Sequence, residues 1–481
     1  MRPDHRRDPG GSPGDGTRAG ASYGRQTLNG RSPIDSETAG TARNGQPGKP
    51  GVRAPTVQWG AVKAEPYDAQ TLGRLMVRSV QVPDPVDLLA RLPQPGVSAA
   101  WIHQGTGLVG WGEAARITLP AGPDRFAAGE KWLRALFDSA DVVDPVDVPG
   151  SGPVAFGSFT FDPASDGSVI IVPRAVLGRR AGRAWVTTIG DGDGPPVRGP
   201  LAPVSPEAMS AEVRWQDGSL TALQWEHAVA AAVARIRAGD LSKVVLARDQ
   251  RATAAQPIDV RVLLRRLASC YPDCYTFACA GLVGATPELL IRRDGEQISS
   301  LVLAGTAPRG SSPDEDAALG AAMLASAKDV EEHEYAVASV RDALAPLCAR
   351  LDVQPRPSLL ALANVQHLAT KVTGELVGDR SALSVAAALH PTAAVCGTPA
   401  DAAMDLIREL EGMDRGRYAG PVGWVDGRGN GDWGIALRCA ELDGPRARLF
   451  AGCGIVAGSD PAAELAEAQP KFRPMQYAIE G

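Results

Sequence analysis

Lysine is scarce in this sequence, and one lysine lies where an amine could do chemistry. Only seven of the 49 basic residues are lysines, and Lys243 begins the run Lys-Val-Val-Leu-Ala-Arg. Arginine stays protonated in proteins, whereas a lysine held away from water can lose its proton and act as a base. Alternation along a strand places Lys243 on one face with Val245 and Ala247. Lys243 is therefore either a general base or a long side chain that covers apolar surface and reaches solvent.

Two pairs of acidic residues at helical spacing form a second candidate site. Asp329 and Glu332 are three residues apart, as are Glu464 and Glu467, so each pair faces one side of a helix. Carboxylates from two helices can share a divalent ion, because Mg²⁺ typically takes one or two carboxylates, waters and anionic substrate oxygens. The alternative is that both pairs are solvated helix faces.

Residues at the two ends of the second acidic segment limit the helix that carries it. Asp460 and Pro461 are suited to the N-cap and the first helical position. Pro470 lacks a backbone donor, so the helix must kink or end just before Lys471. Lys471 follows Glu467 by about one helical turn, and it is a candidate contact for an anion.

Glycine-rich strand ends are the third feature, and they span residues 303–306, 418–423 and 451–455. Glycine allows backbone N–H groups to approach an anion closely, although tight β turns explain each segment equally well. None of these segments matches a dinucleotide-binding or P-loop pattern, so no nucleotide site is predicted.

Composition excludes several classes of protein. The chain has 481 residues, of which 44% are hydrophobic and 22% charged, as in ordinary globular proteins. Its formal charge of −6 gives no cationic field, so neither nucleic acid nor a membrane is expected as a partner. Neither an apolar run of membrane-spanning length nor a signal peptide is found, which predicts a cytoplasmic protein. The seven cysteines form no CxxC pair and are predicted to be reduced.

The chain divides into a tail and a body. Residues 1–75 are predicted to be a disordered N-terminal tail, because their first 55 positions are dense in glycine and proline and poor in large apolar residues. Residues 76–481 are predicted to form one folded domain. Its β-branched and aromatic runs predict strands at 77–82, 99–103, 107–117, 154–161, 168–172, 183–188, 243–248, 365–372, 417–425, 433–441 and 447–456.

Helical spacing of apolar residues predicts helices at 125–139, 221–238 and 259–267, and two more within 313–347. Strands outnumber single crossover helices, which favours an antiparallel α+β fold over a doubly wound sheet.

Eight ordered motifs closely resemble the chorismate-utilising enzymes, and within them the isochorismate synthases. They lie at 243–248, 284–290, 303–306, 326–333, 390–392, 418–424, 435–439 and 452–471. The resemblance covers residues 220–475 densely and reaches back weakly to 107–112. It implies a single large chorismate-binding α+β domain with two extensive antiparallel β-sheets and helices packed outside them.

The resemblance also implies a reaction and the residues that perform it. Chorismate would be converted reversibly to isochorismate, an isomerase reaction, by water addition at C2 and loss of the C4 hydroxyl. Lys243 would be the base that activates water, and Glu288 the acid that protonates the departing hydroxyl.

Metal and substrate contacts follow from the same resemblance. Glu332 and Glu467 resemble Mg²⁺ ligands, and Asp329 and Glu464 resemble partners that reach the ion through water. Arg438 would hold the enolpyruvyl carboxylate by two parallel hydrogen bonds. The implied substrate-binding residues are Gly305, Thr306, His367, Ala394, Tyr418, Arg438, Gly452 and Lys471.

The choice among subfamilies depends on few residues. Ala304 stands where aminodeoxychorismate-forming relatives present a lysine, and the tryptophan-feedback motif of anthranilate synthases is not found. No glutaminase subunit is therefore expected, and the chain is predicted to be a monomer. Ala394 favours release of isochorismate over the pyruvate elimination of salicylate synthases, which remain the alternative. A catalytically inactive homologue is disfavoured, because the base, the acid and both metal-ligand glutamates are present. The product would enter menaquinone or siderophore biosynthesis.

Overall fold

A computed structural model describes residues 74–93, 98–191, 212–363 and 365–481. Runs of apolar residues form many of the strands in this part of the chain. The strands are β1 Met76–Val82, β2 Ser98–His103, β3 Thr106–Trp111, β4 Ala115–Leu119, β5 Asp141–Val143, β6 Val154–Ser158, β7 Ser168–Val172, β8 Ala175–Arg180, β9 Arg183–Gly190, β10 Val213–Asp217, β11 Lys243–Ala254, β12 Tyr275–Cys279, β13 Leu282–Thr286, β14 Leu289–Asp294, β15 Gln297–Pro308, β16 Cys348–Val353, β17 Ser358–Ala361, β18 Val365–Leu376, β19 Gly397–Thr398, β20 Pro421–Asp426, β21 Gly431–Ile435, β22 Cys439–Asp443 and β23 Arg446–Ile455. Of these, β6, β7, β12, β13 and β21 are buried along their whole length.

The helices of the described residues pack on these strands. They are α1 Arg125–Asp138, α2 Ala222–Arg237, α3 Val260–Cys270, α4 Pro313–Ala325, α5 Ala327–Leu344, α6 Ala382–Leu389, α7 Ala400–Leu410, α8 Pro461–Ala468 and α9 Arg473–Glu480, with 3₁₀ turns at Leu89–Arg91, Ala345–Leu347 and Gln469–Phe472. The helices predicted at 125–139, 221–238, 259–267 and twice within 313–347 are confirmed. Ser326 separates α4 from α5, and its side chain caps α5 by accepting a hydrogen bond from the Asp329 backbone N–H.

The strands form two large sheets. The first runs β10-β11-β23-β22-β13-β12-β2-β3-β8-β9-β1-β5, with β19 also on β11. The second runs β16-β18-β15-β14-β21-β20-β6-β7-β4, with β17 also on β18. Apart from the parallel pair β1 and β5, the described strand pairs are antiparallel. The predicted α+β fold with two extensive antiparallel sheets is confirmed.

Two predicted strands were each wrong in the same way. The run 107–117 divides into β3 of the first sheet and β4 of the second, and the run 433–441 divides into β21 of the second sheet and β22 of the first. A residue with positive φ lies at each division, Gly112 at +67° and Arg438 at +49°. Such a conformation breaks the extended backbone, so the chain leaves one sheet and enters the other.

The main core includes side chains from both sheets. Trp101 of β2 and Trp433 of β21 are almost fully buried in it. The Trp101 indole N–H also donates to Asp432 Oδ2 at 3.2 Å, which joins the first sheet to the second. Burial of these large rings adds to the apolar area that stabilises the two layers.

The predicted tail, residues 1–75, lies outside the described residues except at its end. Leu75 is buried in the main core, one residue before the predicted start of the body. Within the described ranges, none of the helices has both the length and the apolar character needed to cross a bilayer.

Candidate active site

A cavity that opens to solvent collects most of the residues predicted from the sequence. Its walls come from β11, β15, β18, β23, α5, the end of α8 and the loops near residues 394 and 418. The predicted residues that line it are Glu288, Gly305, Thr306, Glu332, His367, Ala394, Tyr418, Arg438, Gly452, Glu467 and Lys471. Lys243 lies directly behind this wall, whereas Asp329 and Glu464 do not line the cavity.

Lys243 is the first residue of β11, and its side chain is completely buried. Its Nζ atom lies 3.1 Å from Oε1 of Glu332, which lines the cavity. Gly454 of the neighbouring strand β23 leaves room for this contact. A Cβ atom at position 454 would lie 2.3 Å from Glu332 Oε1 and 3.0 Å from Lys243 Cε. The glycine pattern of residues 451–455 thus has a steric role that sequence reasoning did not assign to Gly454.

Glu288 lies in the short connection between β13 and β14 and is 5% exposed. Its backbone is held at both ends, because its N–H donates to Thr286 Oγ1 at 3.2 Å and its C=O accepts from the Ile435 N–H at 3.2 Å. Burial raises the pKa of the Glu288 carboxyl to about 8, although Lys243 and Arg438 partly oppose the shift. Glu288 is therefore protonated at neutral pH and can donate a proton inside the cavity.

The carboxylates of Glu332 and Glu467 reach the cavity from two helices, α5 and α8. Burial alone would raise the pKa of Glu467, but Lys471, Lys328 and Arg438 outweigh it and hold that pKa below its ordinary value. Glu467 is thus ionised and can bind a cation. Among the described residues, no three His, Cys, Asp or Glu side chains are grouped as a metal site.

Glu464 and Asp329, here called the outer carboxylates, lie behind Glu332 and Glu467. Glu464 is almost fully buried, its Oε1 accepts a hydrogen bond from Lys328 Nζ at 2.7 Å, and its Oε2 has no partner among the described residues. Asp329 lies in the first turn of α5, where burial and the neighbouring Glu332 raise its pKa despite a hydrogen bond from Ser326. Asp329 is on α5 with Glu332, and Glu464 is on α8 with Glu467. Each outer carboxylate is thus on the same helix as a carboxylate that lines the cavity.

Lys471 lines the cavity although Pro470 precedes it. The predicted start of the helix is confirmed, since the side chain of Asp460 caps α8 and Pro461 is its first residue. The predicted end is also confirmed, because α8 stops at Ala468 and the chain continues as a 3₁₀ turn. This turn places Lys471 Nζ 2.8 Å from Glu467 Oε1 and 2.9 Å from the Gly452 carbonyl oxygen.

Arg438 presents a guanidinium group to the cavity at the point where the chain crosses from β21 to β22. Its side chain makes no hydrogen bond or ion pair with any other described residue, and burial lowers its pKa. Tyr418 lies beside it and stacks on Phe450 with ring centroids 4.9 Å apart. An unpaired guanidinium in a cavity is suited to bind a carboxylate by two parallel hydrogen bonds.

His367 is held as a neutral imidazole. Burial and the nearby Arg438 lower its pKa to about 3, although the Gly305 backbone opposes the shift. Its Nδ1 atom lies 3.0 Å from the Gly305 carbonyl oxygen, so Nδ1 carries the proton and donates. Nε2 has no partner among the described residues and remains an acceptor in the wall of the cavity.

Sequence reasoning missed Glu411 and Arg415. Both side chains are almost completely buried, and Arg415 lines the cavity. The Arg415 guanidinium binds the Glu411 carboxylate at 2.5 and 2.9 Å. Their spacing of four residues was the only signal, and it is equally typical of exposed helix surfaces.

A family model described as chorismate binding enzyme matches residues 202–480. This match covers more than half of the chain and includes every predicted site residue. The chain belongs to this family. The resemblance of the eight sequence motifs to chorismate-utilising enzymes is thereby confirmed.

Curated relatives and solved structures agree with this assignment. The chain is 35% identical over 379 residues to isochorismate synthase MenF of Bacillus subtilis, which covers 73% of this chain and 80% of that protein. It is 44% identical over 267 residues to isochorismate synthase DhbC of the same organism, covering 53% and 67%. The solved structure of the menaquinone-specific isochorismate synthase MenF from Escherichia coli has a TM-score of 0.70 at 25% identity and covers 85% of this chain and 95% of that one.

Proposed function

We propose that this protein converts chorismate to isochorismate by adding water at C2 and releasing the C4 hydroxyl. The observation that carries the proposal is a protonated acid and a buried amine at one cavity. Glu288 has a pKa of about 8, and Lys243 lies 3.1 Å from a carboxylate oxygen of the same cavity. The isochorismate synthases among the relatives support the choice of reaction.

The two groups have complementary roles. Lys243 in its neutral form accepts a proton from water as the water oxygen bonds to C2. Glu288 donates its proton to the C4 hydroxyl, which leaves as water while the ring double bonds shift. One water is consumed and one is released, and the enzyme regains its starting state when a proton returns from Lys243 to Glu288 through solvent. General acid and base groups of this kind each accelerate reactions by about 10²- to 10⁴-fold.

The substrate is a dicarboxylate, so the site must balance two negative charges. Arg438 has no partner among the described residues and is proposed to hold the enolpyruvyl carboxylate. Lys471, Tyr418 and the backbone at Gly452 line the same cavity and are proposed to assist. Gly305, Thr306, His367 and Ala394 line the rest of the cavity and are proposed to contact the ring.

Glu332 and Glu467 are proposed to hold Mg²⁺. Their carboxylates suit it, because hard cations prefer oxygen donors and Mg²⁺ usually binds one or two carboxylates together with waters and substrate oxygens. A bound Mg²⁺ would hold the ring carboxylate and balance its charge. Oε2 of Glu464 is buried and has no partner among the described residues, so it is suited to accept a hydrogen bond from a water on the ion. Asp329 is proposed for the same role from α5.

The proposed nucleophile is water, so the enzyme needs no subunit that supplies ammonia. We propose that a single chain is active and that chorismate is its only partner. Gel filtration of the purified protein with parallel assays tests this arrangement. Activity confined to a fraction containing a second protein would contradict it.

Incubation of the purified protein with chorismate and MgCl₂ tests the proposed reaction. We expect isochorismate in the product mixture, identified by NMR, and approach to the same equilibrium from either compound. Pyruvate is measured in parallel with lactate dehydrogenase. Stoichiometric pyruvate would identify a salicylate synthase instead, and absence of any conversion at millimolar Mg²⁺ would contradict the proposed function.

A further inference from the structure

Over residues 245–249, the edge of β11 next to Lys243 pairs with no other strand of the described residues. One edge of β11 pairs with β23, and the other pairs with β19 at residues 243–244 and with β10 at residues 250–254. Between these pairings, the backbone groups of Val245 and Ala247 point away from β23 toward side chains and a loop. The Val245 N–H donates to the Cys396 carbonyl oxygen at 2.7 Å.

Side chains take the place of the missing strand. Arg415 Nη2 donates to the Val245 carbonyl oxygen at 2.8 Å, and Glu411 Oε1 accepts from the Ala247 N–H at 2.7 Å. The Trp225 indole N–H donates to the Ala247 carbonyl oxygen at 3.2 Å. Unpaired buried backbone groups are costly, so these contacts fix the edge of the strand whose first residue is Lys243.

The Arg415 guanidinium also binds the loop at residues 394–395, which lines the cavity. Arg415 Nη1 donates to the Val395 carbonyl oxygen at 2.8 Å, and Ala394 and Val395 both line the cavity. Arg415 thus joins the strand of the candidate base to the loop that carries a candidate substrate contact. Glu411 fixes the guanidinium through two further hydrogen bonds.

Arg415 and Arg438 differ in how many of their guanidinium N–H groups bind other groups of the protein. Its hydrogen bonds to the Glu411 carboxylate, the Val245 carbonyl and the Val395 carbonyl use four of the five N–H groups of a guanidinium. The Arg438 guanidinium makes no hydrogen bond to another described residue, so it remains available to a ligand. The contacts therefore favour a role for Arg415 in holding protein groups rather than in binding substrate.

We infer that Glu411 and Arg415 are positioning residues that set the place of Lys243 relative to the substrate loop at residues 394–395. The inference rests on the proposed function, because Lys243 is its base. Misplacement of a catalytic group by about 1 Å can reduce the rate by about 100-fold. Disturbing the pair is therefore expected to reduce kcat more than it changes the KM for chorismate.

The test replaces Arg415 by lysine, which keeps a positive charge but has three N–H donors on one nitrogen and cannot reproduce the four hydrogen bonds of the guanidinium. Arg261→Lys is the matched control, because Arg261 is a buried arginine that binds Asp259 at 2.6 Å and does not line the cavity. We expect kcat of Arg415→Lys to fall about 10- to 100-fold while KM changes less than about threefold. We also expect faster amide hydrogen exchange in residues 243–247 of this variant only. All rates are measured well below the Tm of each variant.

Three results would overturn the inference. They are a parental kcat in Arg415→Lys, unchanged exchange in residues 243–247, and an equal loss of kcat in Arg261→Lys. If Arg415→Lys does not fold, the isosteric Glu411→Gln decides, with kcat expected to fall about tenfold and a parental kcat counting against the inference. A parent protein that forms no isochorismate would instead contradict the proposed function, and the exchange comparison would still test the positioning contacts.

Discussion

Nζ of Lys243 lies 3.1 Å from Oε1 of Glu332. The lysine is fully buried and the glutamate side chain is 14% exposed, so solvent screens the contact between them weakly. The contact joins the proposed base on β11 to a proposed metal ligand on α5. Proton transfer and metal binding are therefore expected to depend on the same few atoms.

Removal of the proposed base is expected to abolish turnover. Lys243→Ala should lower kcat by about 100-fold or more, because water then has no proton acceptor at C2. Lys371→Ala is the control, since Lys371 is an exposed lysine on β18. Isochorismate formation by each variant is followed by NMR or chromatography. Normal turnover in Lys243→Ala would refute the assignment of the base.

A methyl group at position 454 is expected to disturb the Lys243–Glu332 pair. The new Cβ of Gly454→Ala would lie 2.3 Å from Glu332 Oε1, so at least one of the two side chains must move. We expect kcat to fall about tenfold or more. The control is Gly458→Ala, whose Cβ would meet no atom of the described residues within 4 Å. Equal activity of the two variants would show that the close packing at position 454 has no catalytic importance.

The activity is expected to decrease in alkaline solution. Only the protonated form of Glu288 can donate, and burial places its pKa at about 8. The value of kcat/KM should therefore fall as the pH rises through about 8, with the loss of one proton. Glu288→Gln, which cannot donate a proton in the same way, should be nearly inactive over the whole pH range. A parental profile that stays flat from pH 6 to about pH 9.5 would contradict this role of the acid.

The stability of the fold is expected to depend on the same carboxyl. In the unfolded chain the Glu288 side chain ionises near 4.5, whereas in the folded protein its pKa is about 8. The stabilising contribution of the protonated Glu288 carboxyl to the free energy of unfolding is fully present below the unfolded pKa. This contribution is lost as the pH rises through the folded pKa. Glu288→Gln should thus gain stability relative to the parent between pH 5 and pH 9. Urea denaturation at pH 5 and at pH 9 measures the difference in the free energy of unfolding between Glu288→Gln and the parent. The same difference at both pH values would contradict the pKa shift.

Loss of one carboxylate charge is expected to weaken metal dependence. In Glu467→Gln, the ionised oxygen donor on α8 is replaced by a neutral amide, so a higher Mg²⁺ concentration should be needed for half-maximal activity. Calorimetric titration with MgCl₂ should show weaker binding as well. Glu296→Gln removes an exposed carboxylate and serves as the control. Identical metal titrations of Glu467→Gln and the parent would remove Glu467 from the proposed ligands.

The strands and helices could be predicted from the sequence wherever one pattern continues through one element. The run 433–441 shows the limit, because its apolar alternation continues while the backbone changes sheets at Arg438. No local pattern distinguishes a strand that continues from one that passes to a second layer. Contacts with residues far away in the sequence determine whether the chain passes to the other sheet.

The residues that line the cavity could be proposed from motifs, whereas the groups that position them could not. Glu411 and Arg415 bind backbone groups of Val245 and Ala247, which lie more than 150 residues earlier in the chain. Nearly all residue types have the same backbone N–H and C=O groups, so the sequence of a strand does not indicate which of these groups bind a distant side chain. Similarly, nothing in the sequence around Glu464 indicates that Lys328 of α5 is its partner.

The central claim is that water attacks C2 while the C4 hydroxyl leaves, and isotope labelling tests it most directly. The purified protein is given unlabelled chorismate and MgCl₂ in H₂¹⁸O, and the first isochorismate formed is analysed by mass spectrometry and ¹³C NMR. The account predicts one ¹⁸O atom per product molecule, at C2. Isochorismate whose C2 oxygen is unlabelled, and so came from the C4 hydroxyl of the substrate, would contradict it.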